Sequence, residues 1–207
     1  MARNPLRLET PERHALLTAH FVRVVEELIE AGESYSDFSV ERLIRAGDVS
    51  RATFYSYFES KSGLLQAMVK DITSEISQAG FAWWDAPSSM TRDDLREALR
   101  PSVLAYLEHK TLLRAVAEAA AYDEDIRATY GALMTDTIAR LGAHIAAGQA
   151  DGSVAAELDQ EHTATWVVWM LERGLYQSVS LAESGAVDRW VESLTDIIWR
   201  TLYAGCR

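Results

Sequence analysis

From Ser50 to Lys61 the chain reads S-R-A-T-F-Y-S-Y-F-E-S-K. Arg51, Thr53 and Tyr57 fall to one side of a short helix, with Phe54, Tyr55 and Phe58 on the other at spacings of one and four. A planar guanidinium fork matches the O6 and N7 acceptors of guanine, and hydroxyls can reach base edges. The chemistry on offer is therefore recognition of a nucleic acid. It needs the helix to be held out from a body, and the flanking residues supply that arrangement. Ser50 can cap the helix by accepting a hydrogen bond from an otherwise unpaired N–H. Ser39 can cap a preceding helix whose apolar side is Val40, Leu43 and Ile44. Gly47-Asp48-Val49 breaks the run between them. Two short helices joined by such a turn follow the helix-turn-helix plan, which leaves the second free to enter a DNA major groove.

The run V-S-R-A-T-F-Y-S-Y-F-E-S-K-S-G-L-L, Val49 to Leu65, resembles the signature of the TetR family of bacterial repressors. Family members usually read Ala-x-x-Ala-Gly-Val-Ser across the turn, whereas this chain has Ile44-Arg45-Ala46-Gly47-Asp48-Val49-Ser50. The glycine stands one place early, so Asp48 falls where positive φ is required, a conformation Asp tolerates better than most residues. Ile44 replaces a small alanine and bears on how closely the two helices approach. The resemblance implies that Arg51, Thr53 and Tyr57 meet base edges, that Tyr55 and Lys61 hold phosphates, and that Ser39 and Ser50 stand at the same surface. Phosphate contacts set register and base contacts set sequence.

The chain has 207 residues and a net charge of −11, an unpromising balance for a polyanion ligand. Residues 1–70 are close to neutral, however, and residues 71–207 carry nearly all the net negative charge. Screening over roughly 8–10 Å lets a distant acidic domain weaken phosphate binding without abolishing it. The single cysteine, Cys206, permits no intrachain disulfide. Met1 to Glu9 lacks the apolar core of a signal peptide, and the longest strictly apolar run, Trp166 to Leu171, is far short of a membrane span. A cytoplasmic protein with no membrane partner is expected.

Met1 to Leu8 carries Arg3 and Arg7 and no acid, and reads either as a disordered start or as an arm that touches DNA. Thr10-Pro11-Glu12 opens a helix with Leu16, Leu17, Phe21, Val24, Val25, Leu28 and Ile29 at helical spacing, ended by Gly32. Ser60-Lys61 opens another that should run to about Ala79, followed by a connector, Gly80 to Ser89. Helical patterns then cover Thr91–Leu107, Lys110–Ala121, Glu124–Gly148, Gln160–Glu183 and Val187–Tyr203. The fold expected is all-α with about nine helices. Residues 1–60 form a three-helix helix-turn-helix domain, and residues 61–207 form a helical bundle for ligand binding and dimerisation.

Trp166-Val167-Val168-Trp169-Met170-Leu171 is apolar all round a helix and must be covered all round. The last helix offers Trp190, Val191, Leu194, Ile197, Ile198 and Leu202. Part of this belongs inside one chain; the rest favours a homodimer through the last two helices, the pairing that the family resemblance also implies. From His109-Lys110 through Leu171-Glu172-Arg173 to Trp199 and Tyr203 the pattern is similar to one branch of the family, the ethionamide-resistance repressors. That likeness implies a tunnel for elongated apolar ligands, lined here by Tyr130, Met134, Thr137, Val168, Leu171, Leu175 and Trp199. Val168 and Leu171 stand where the branch commonly has asparagines, so Thr137 would be the one polar anchor. Ordinary core packing is the alternative for each of these residues. Glu172-Arg173 reads as either a buried pair or a rim contact.

Catalytic patterns are weak. Asp93-Asp94-x-x-Glu97 has the spacing of a magnesium-diphosphate motif, but no second acidic motif answers it, and Thr91 with acids in the first turn reads as a helix cap. Glu-x-x-His, His-Glu-x-x-His and Gly-x-Ser-x-Gly do not occur. Asp123-Glu124-Asp125 reads as a cap rather than a calcium loop. No enzyme, metal or cofactor is expected. The reading is a DNA-binding regulator on a palindromic double-stranded operator, released by a small apolar ligand. The alternative is a helical ligand-binding protein or enzyme of the same fold without operator binding, favoured only by the neutral head.

Overall fold

The computed structural model describes residues 10–84, 90–178 and 186–204. Arg3, Arg7, Cys206 and residues 85–89 of the connector therefore lie outside the described residues, which form nine α-helices and a short 3₁₀ turn with no strand. In order these are α1 (Thr10–Glu30), the turn Tyr35–Asp37, α2 (Val40–Ala46), α3 (Arg51–Tyr57), α4 (Lys61–Trp84), α5 (Arg92–Glu108), α6 (Lys110–Ala119), α7 (Glu124–Asp151), α8 (Gln160–Gln177) and α9 (Val187–Leu202). They fall into two compact units. One holds residues 1–73 and 111–130, and the other residues 74–110 and 131–207.

In the first unit, α1 buries Phe21, Val22, Val25 and Leu28 and leaves Leu16 in solvent. It ends because Gly32, at φ 94°, lets Glu33 N–H reach Leu28 O at 3.1 Å and its own N–H reach Ile29 O at 2.9 Å. That pair of bonds closes the helix, and a side chain at this φ would resist it. The same closure recurs at α2 with a different residue. Val49 N–H bonds Ile44 O at 3.2 Å, and Asp48 takes φ 49° in the position glycine usually fills. Gly47 is needed for space: a Cβ there would lie 2.9 Å from Phe21 Cε1 and 3.2 Å from Leu43 O. The turn survives the displaced glycine because Asp48 supplies the dihedral and Gly47 the clearance. His20 Nε2–H donates to Gly47 O at 2.8 Å and ties α1 to the turn. Phe21, Phe54 and Phe58 meet edge-on or tilted with centroids 5.5–5.9 Å apart, so α1 and α3 share one aromatic core.

The second unit is built on α5 against α9. Leu95, Ala98 and Leu99 of α5 join Ile198 and Leu202 of α9, Leu141 and Ile145 of α7, and Ala164, Val167 and Val168 of α8. Arg92 bonds Asp196 at 2.8 Å and also Glu192, and Arg100 bonds Asp188 at 3.1 Å, so the two helices run antiparallel under a strip of ion pairs. α4 outlasts the expected end at Ala79 and reaches Trp84, because Trp83 is buried in this core. Trp83 Nε1–H donates to Tyr203 Oη at 2.8 Å, and His144 Nε2 lies 2.7 Å from the same oxygen. His144 Nδ1 is 3.1 Å from Trp84 O, a pure acceptor, so Nδ1 carries the proton and Nε2 accepts from the tyrosine hydroxyl. Burial pushes the Tyr203 hydroxyl up to about 12. α8 ends at Gln177, and the expected extension to Glu183 lies largely outside the described residues.

Candidate nucleic-acid and ligand sites

Both helix caps of the reading head form as the sequence suggests. Ser39 Oγ accepts from Arg42 N–H at 3.1 Å, and Ser50 Oγ accepts from Thr53 N–H at 2.9 Å. α3 is thereby started at Arg51, with Arg51, Thr53 and Tyr55 exposed and Tyr57 half-buried against His14. One side assignment changes. Phe54 and Phe58 are buried but Tyr55 is 44% exposed, so it leaves the apolar side and joins the solvent face of Arg51. The reason is angular: Tyr55 follows Phe54 by one residue, about 100° round the helix, and Phe21 fills the core without it.

The cations of this face are already held. Arg51 Nη1 donates to Glu41 Oε1 at 2.7 Å, and its guanidinium carbon stands 5.3 Å from the Tyr55 ring centre. Arg42 grips Glu33 at 2.6 Å. Lys61 Nζ donates to the Tyr35 and Ser36 carbonyls at 3.2 and 3.0 Å and stands over the Tyr35 ring. Tyr35 Oη–H in turn donates to Lys61 O at 3.0 Å, and burial, then the charge of Asp123, pushes that hydroxyl up. Neither Glu41's grip on Arg51 nor Lys61's anchoring role is legible in sequence; an acid in the first turn of α2 reads there only as a partner for the helix dipole.

The start of α4 is also tied to the α6–α7 corner. Ser62 Oγ–H donates to Asp123 Oδ2 at 2.7 Å, while Asp123 Oδ1 accepts from the N–H groups of Asp125 and Ile126. The cap reading of Asp123 thus holds, and the Ser62 bond, with those backbone donors, holds its carboxyl below the usual range. Thr91 and Asp94 form a reciprocal capping box at the start of α5, which accounts for Asp94.

The ligand candidates divide. Met134, Val168, Leu171 and Trp199 belong to one cluster, with Val168 buried in it and the others half-buried. Leu175 packs in a separate cluster with Val103, Val191 and Leu107. Thr137 is half-buried and donates to Leu133 O at 2.9 Å, which leaves its oxygen able to accept. Tyr130 lies in the first unit. Of Glu172 and Arg173, whose side chains are 11% and 58% exposed, the acid is inside and the base outside, 3.6 Å apart.

The apolar stripe of α9 also divides. Val191, Ile198 and Leu202 are buried within the chain and so cannot face a partner, while Leu194 is half-buried against the same core. Trp190 and Ile197 remain in solvent, as do Trp166, Trp169 and Met170 of α8. Trp166 is 77% exposed. No described helix is long and apolar enough to cross a membrane.

Residues 95–204, more than half of the chain, match the family model described as the C-terminal domain of the transcriptional regulator EthR. Residues 26–68 match that of bacterial regulatory proteins of the tetR family. The HTH-type transcriptional regulator EthR of Mycolicibacterium smegmatis is 26% identical over 97% of this chain and 91% of its own length. Its namesake from Mycobacterium tuberculosis is 26% identical over 87% of this chain and 83% of its own. Among solved structures, Salmonella enterica GusR superposes with a TM-score of 0.69 at 19% identity, covering 95% of this chain and 98% of that one. The TetR-family regulator PfmR of Thermus thermophilus gives 0.68 at 18% identity, covering 87% and 97%.

Proposed function

The chain belongs to the TetR family of bacterial transcriptional regulators, in the group with the EthR C-terminal domain, and on that premise we propose that it is a repressor that binds a palindromic operator as a homodimer and leaves it when an apolar ligand binds. Residues 1–60 read DNA, and residues 61–207 bind the ligand and pair the chains. The observation that carries the reading is α3 itself, capped by Ser50 and fixed by Phe54 and Phe58, with Arg51, Thr53 and Tyr55 turned to solvent. Arg51 reads guanine, with Thr53 and Tyr57 beside it. Tyr55 and Lys61 take phosphates, and Ser39 and Ser50 stand at the edges of the groove. Such a protein works in the cytoplasm, where its operator is.

The outer faces of α8 and α9, with Trp166, Trp169, Met170, Trp190 and Ile197, form the dimer interface. Several large apolar side chains left in solvent on two helices favour an interaction surface there. The ligand occupies the second unit among Met134, Thr137, Val168, Leu171, Leu175 and Trp199; Tyr130, which falls in the first unit, is not counted among them. The absence of asparagines at 168 and 171 selects an apolar ligand. Release follows because the ligand binds better to a dimer whose reading heads are wrongly spaced, which is a population shift.

A mobility-shift assay on the DNA upstream of the protein's own gene tests this. A shift at lower protein concentration than on shuffled DNA of equal length is expected. Equal affinity for both would overturn the operator reading and leave a ligand-binding protein of the same fold.

A further inference from the structure

One acid stands where a DNA-reading surface would ordinarily exclude it. Glu41 is the second residue of α2 and Arg51 the first of α3, so two capped helix starts bring the side chains together across the turn. Both are largely exposed, at 57% and 66%, yet Arg51 Nη1 meets Glu41 Oε1 at 2.7 Å and the guanidinium lies over Tyr55. That bond uses the Nη1 corner of the fork. The Nε–Nη2 edge, a parallel pair of donors, stays outside it.

Resting on the DNA-binding reading above, we propose that Glu41 is a positioning and specificity residue. It holds Arg51 against Tyr55 with the Nε–Nη2 edge presented to guanine, and it keeps that cation from serving as a phosphate clamp. A guanine contact through the free edge leaves the Glu41 bond intact. A phosphate contact gains little from a cation already neutralised, so Glu41 acts on phosphates through Arg51 and not directly. Glu41 therefore weakens binding to all DNA while weakening the correct site least. An exposed ion pair is worth no more than about a fivefold change in equilibrium, so the effect is a bias in Arg51's choice of partner and not a contribution to folding. The same logic explains how a nearly neutral head can still discriminate.

The test compares wild type, Glu41→Ala, Glu41→Gln, Arg51→Ala and the double variant Glu41→Ala/Arg51→Ala. Selection from a random-sequence DNA pool reads sequence preference, and titration of random DNA at several salt concentrations reads non-specific binding. Glu41→Ala should bind random DNA about two- to fivefold more tightly. Its salt slope should steepen by about 0.9, one phosphate contact, while guanine preference at one position of each half-site falls by a similar factor. Glu41→Gln keeps an acceptor for Nη1 without the charge, so it should steepen the slope yet retain the preference. In the Arg51→Ala background the Glu41 substitution should change neither readout. A Glu41→Ala variant with wild-type preference and slope overturns the proposal. An effect of equal size without Arg51 does so too, since Glu41 would then be acting directly on a base or phosphate. If wild type selects no sequence at all, the DNA reading itself fails, which the pool reveals before any variant is compared.

Discussion

At the scale of residues, the surface assigned to DNA is made of groups with two occupations. Lys61 serves the fold through the carbonyls of Tyr35 and Ser36, and the proposal asks it also to meet a phosphate. Lys61→Ala should therefore weaken binding to every sequence alike and flatten the salt slope by about one unit. It should also lower the unfolding free energy by about 1–2 kcal/mol, because two carbonyls lose a charged donor. Arg51→Ala should act differently. It makes no bond that the fold depends on, so its melting temperature should stay near wild type while preference at one operator position relaxes by about 1–3 kcal/mol. Binding titrations and thermal melts of the two variants check both statements. Equal losses on specific and random DNA in both variants would refute the division between reader and clamp.

At the scale of elements, the turn between α2 and α3 is governed by clearance and the outer helices by which face the core has claimed. Gly47→Ala would put a methyl 2.9 Å from Phe21 and 3.2 Å from the Leu43 carbonyl, an aromatic edge and a backbone atom that are both confined. A cost of about 1–3 kcal/mol is expected, read by chemical denaturation, with operator affinity falling as α3 shifts. On α9 the periodicity alone would direct a disruptive charge to Leu194 and Ile198. Ile198 is fully buried within its own chain, so a glutamate there should unfold the second unit. Trp166→Glu and Ile197→Glu touch the exposed faces instead. Sedimentation should show folded monomers for these two, with helical circular dichroism unchanged. A folded dimer in the double variant would place the subunit contact elsewhere.

At the scale of the whole molecule, two titrations contribute to the pH dependence of stability with opposite signs. Asp123 has a folded pKa below its unfolded value, so its stabilisation is complete above the ordinary carboxylate pKa of about 4 and disappears as pH falls through the depressed value. Tyr203 moves the other way. Its folded pKa is raised to about 12 from 10, so the unfolded chain deprotonates first and stability falls as pH climbs between those values. Thermal midpoints against pH should show a shallower acid slope in Asp123→Asn and a shallower alkaline slope in Tyr203→Phe. Ligand response is the other global property. With apolar lining, each added methylene should contribute about 0.8 kcal/mol until the site is full. A thermal-shift series of linear apolar ligands should rise with chain length, and Leu171→Trp should cut off the longest first. A flat series in wild type would return these residues to ordinary core.

The chemistry of the head was legible in sequence because it is local. Caps at Ser39, Ser50 and Thr91, positive φ at Asp48 and the Phe54–Phe58 pair depend on residues within a turn or two of one another. The family signature spans the same short stretch, and the EthR-type domain was already visible in the pattern running to Tyr203. Which apolar face a helix turns inward is not local. Ile198 and Ile197 are neighbours of equal hydrophobicity, and only the helices packed on α9, α5 among them, decide that one is core and the other surface. The reach of α4 to Trp84 depends likewise on Tyr203, which accepts the indole N–H of Trp83, 120 residues away from it in the chain. Glu41 and Arg51 are ten residues apart, but they meet only because the turn brings two helix starts together. Sequence determined which side chains this protein can use. Tertiary packing decided which of them are free to be used, since burial and pairing are properties of neighbours the chain order does not specify.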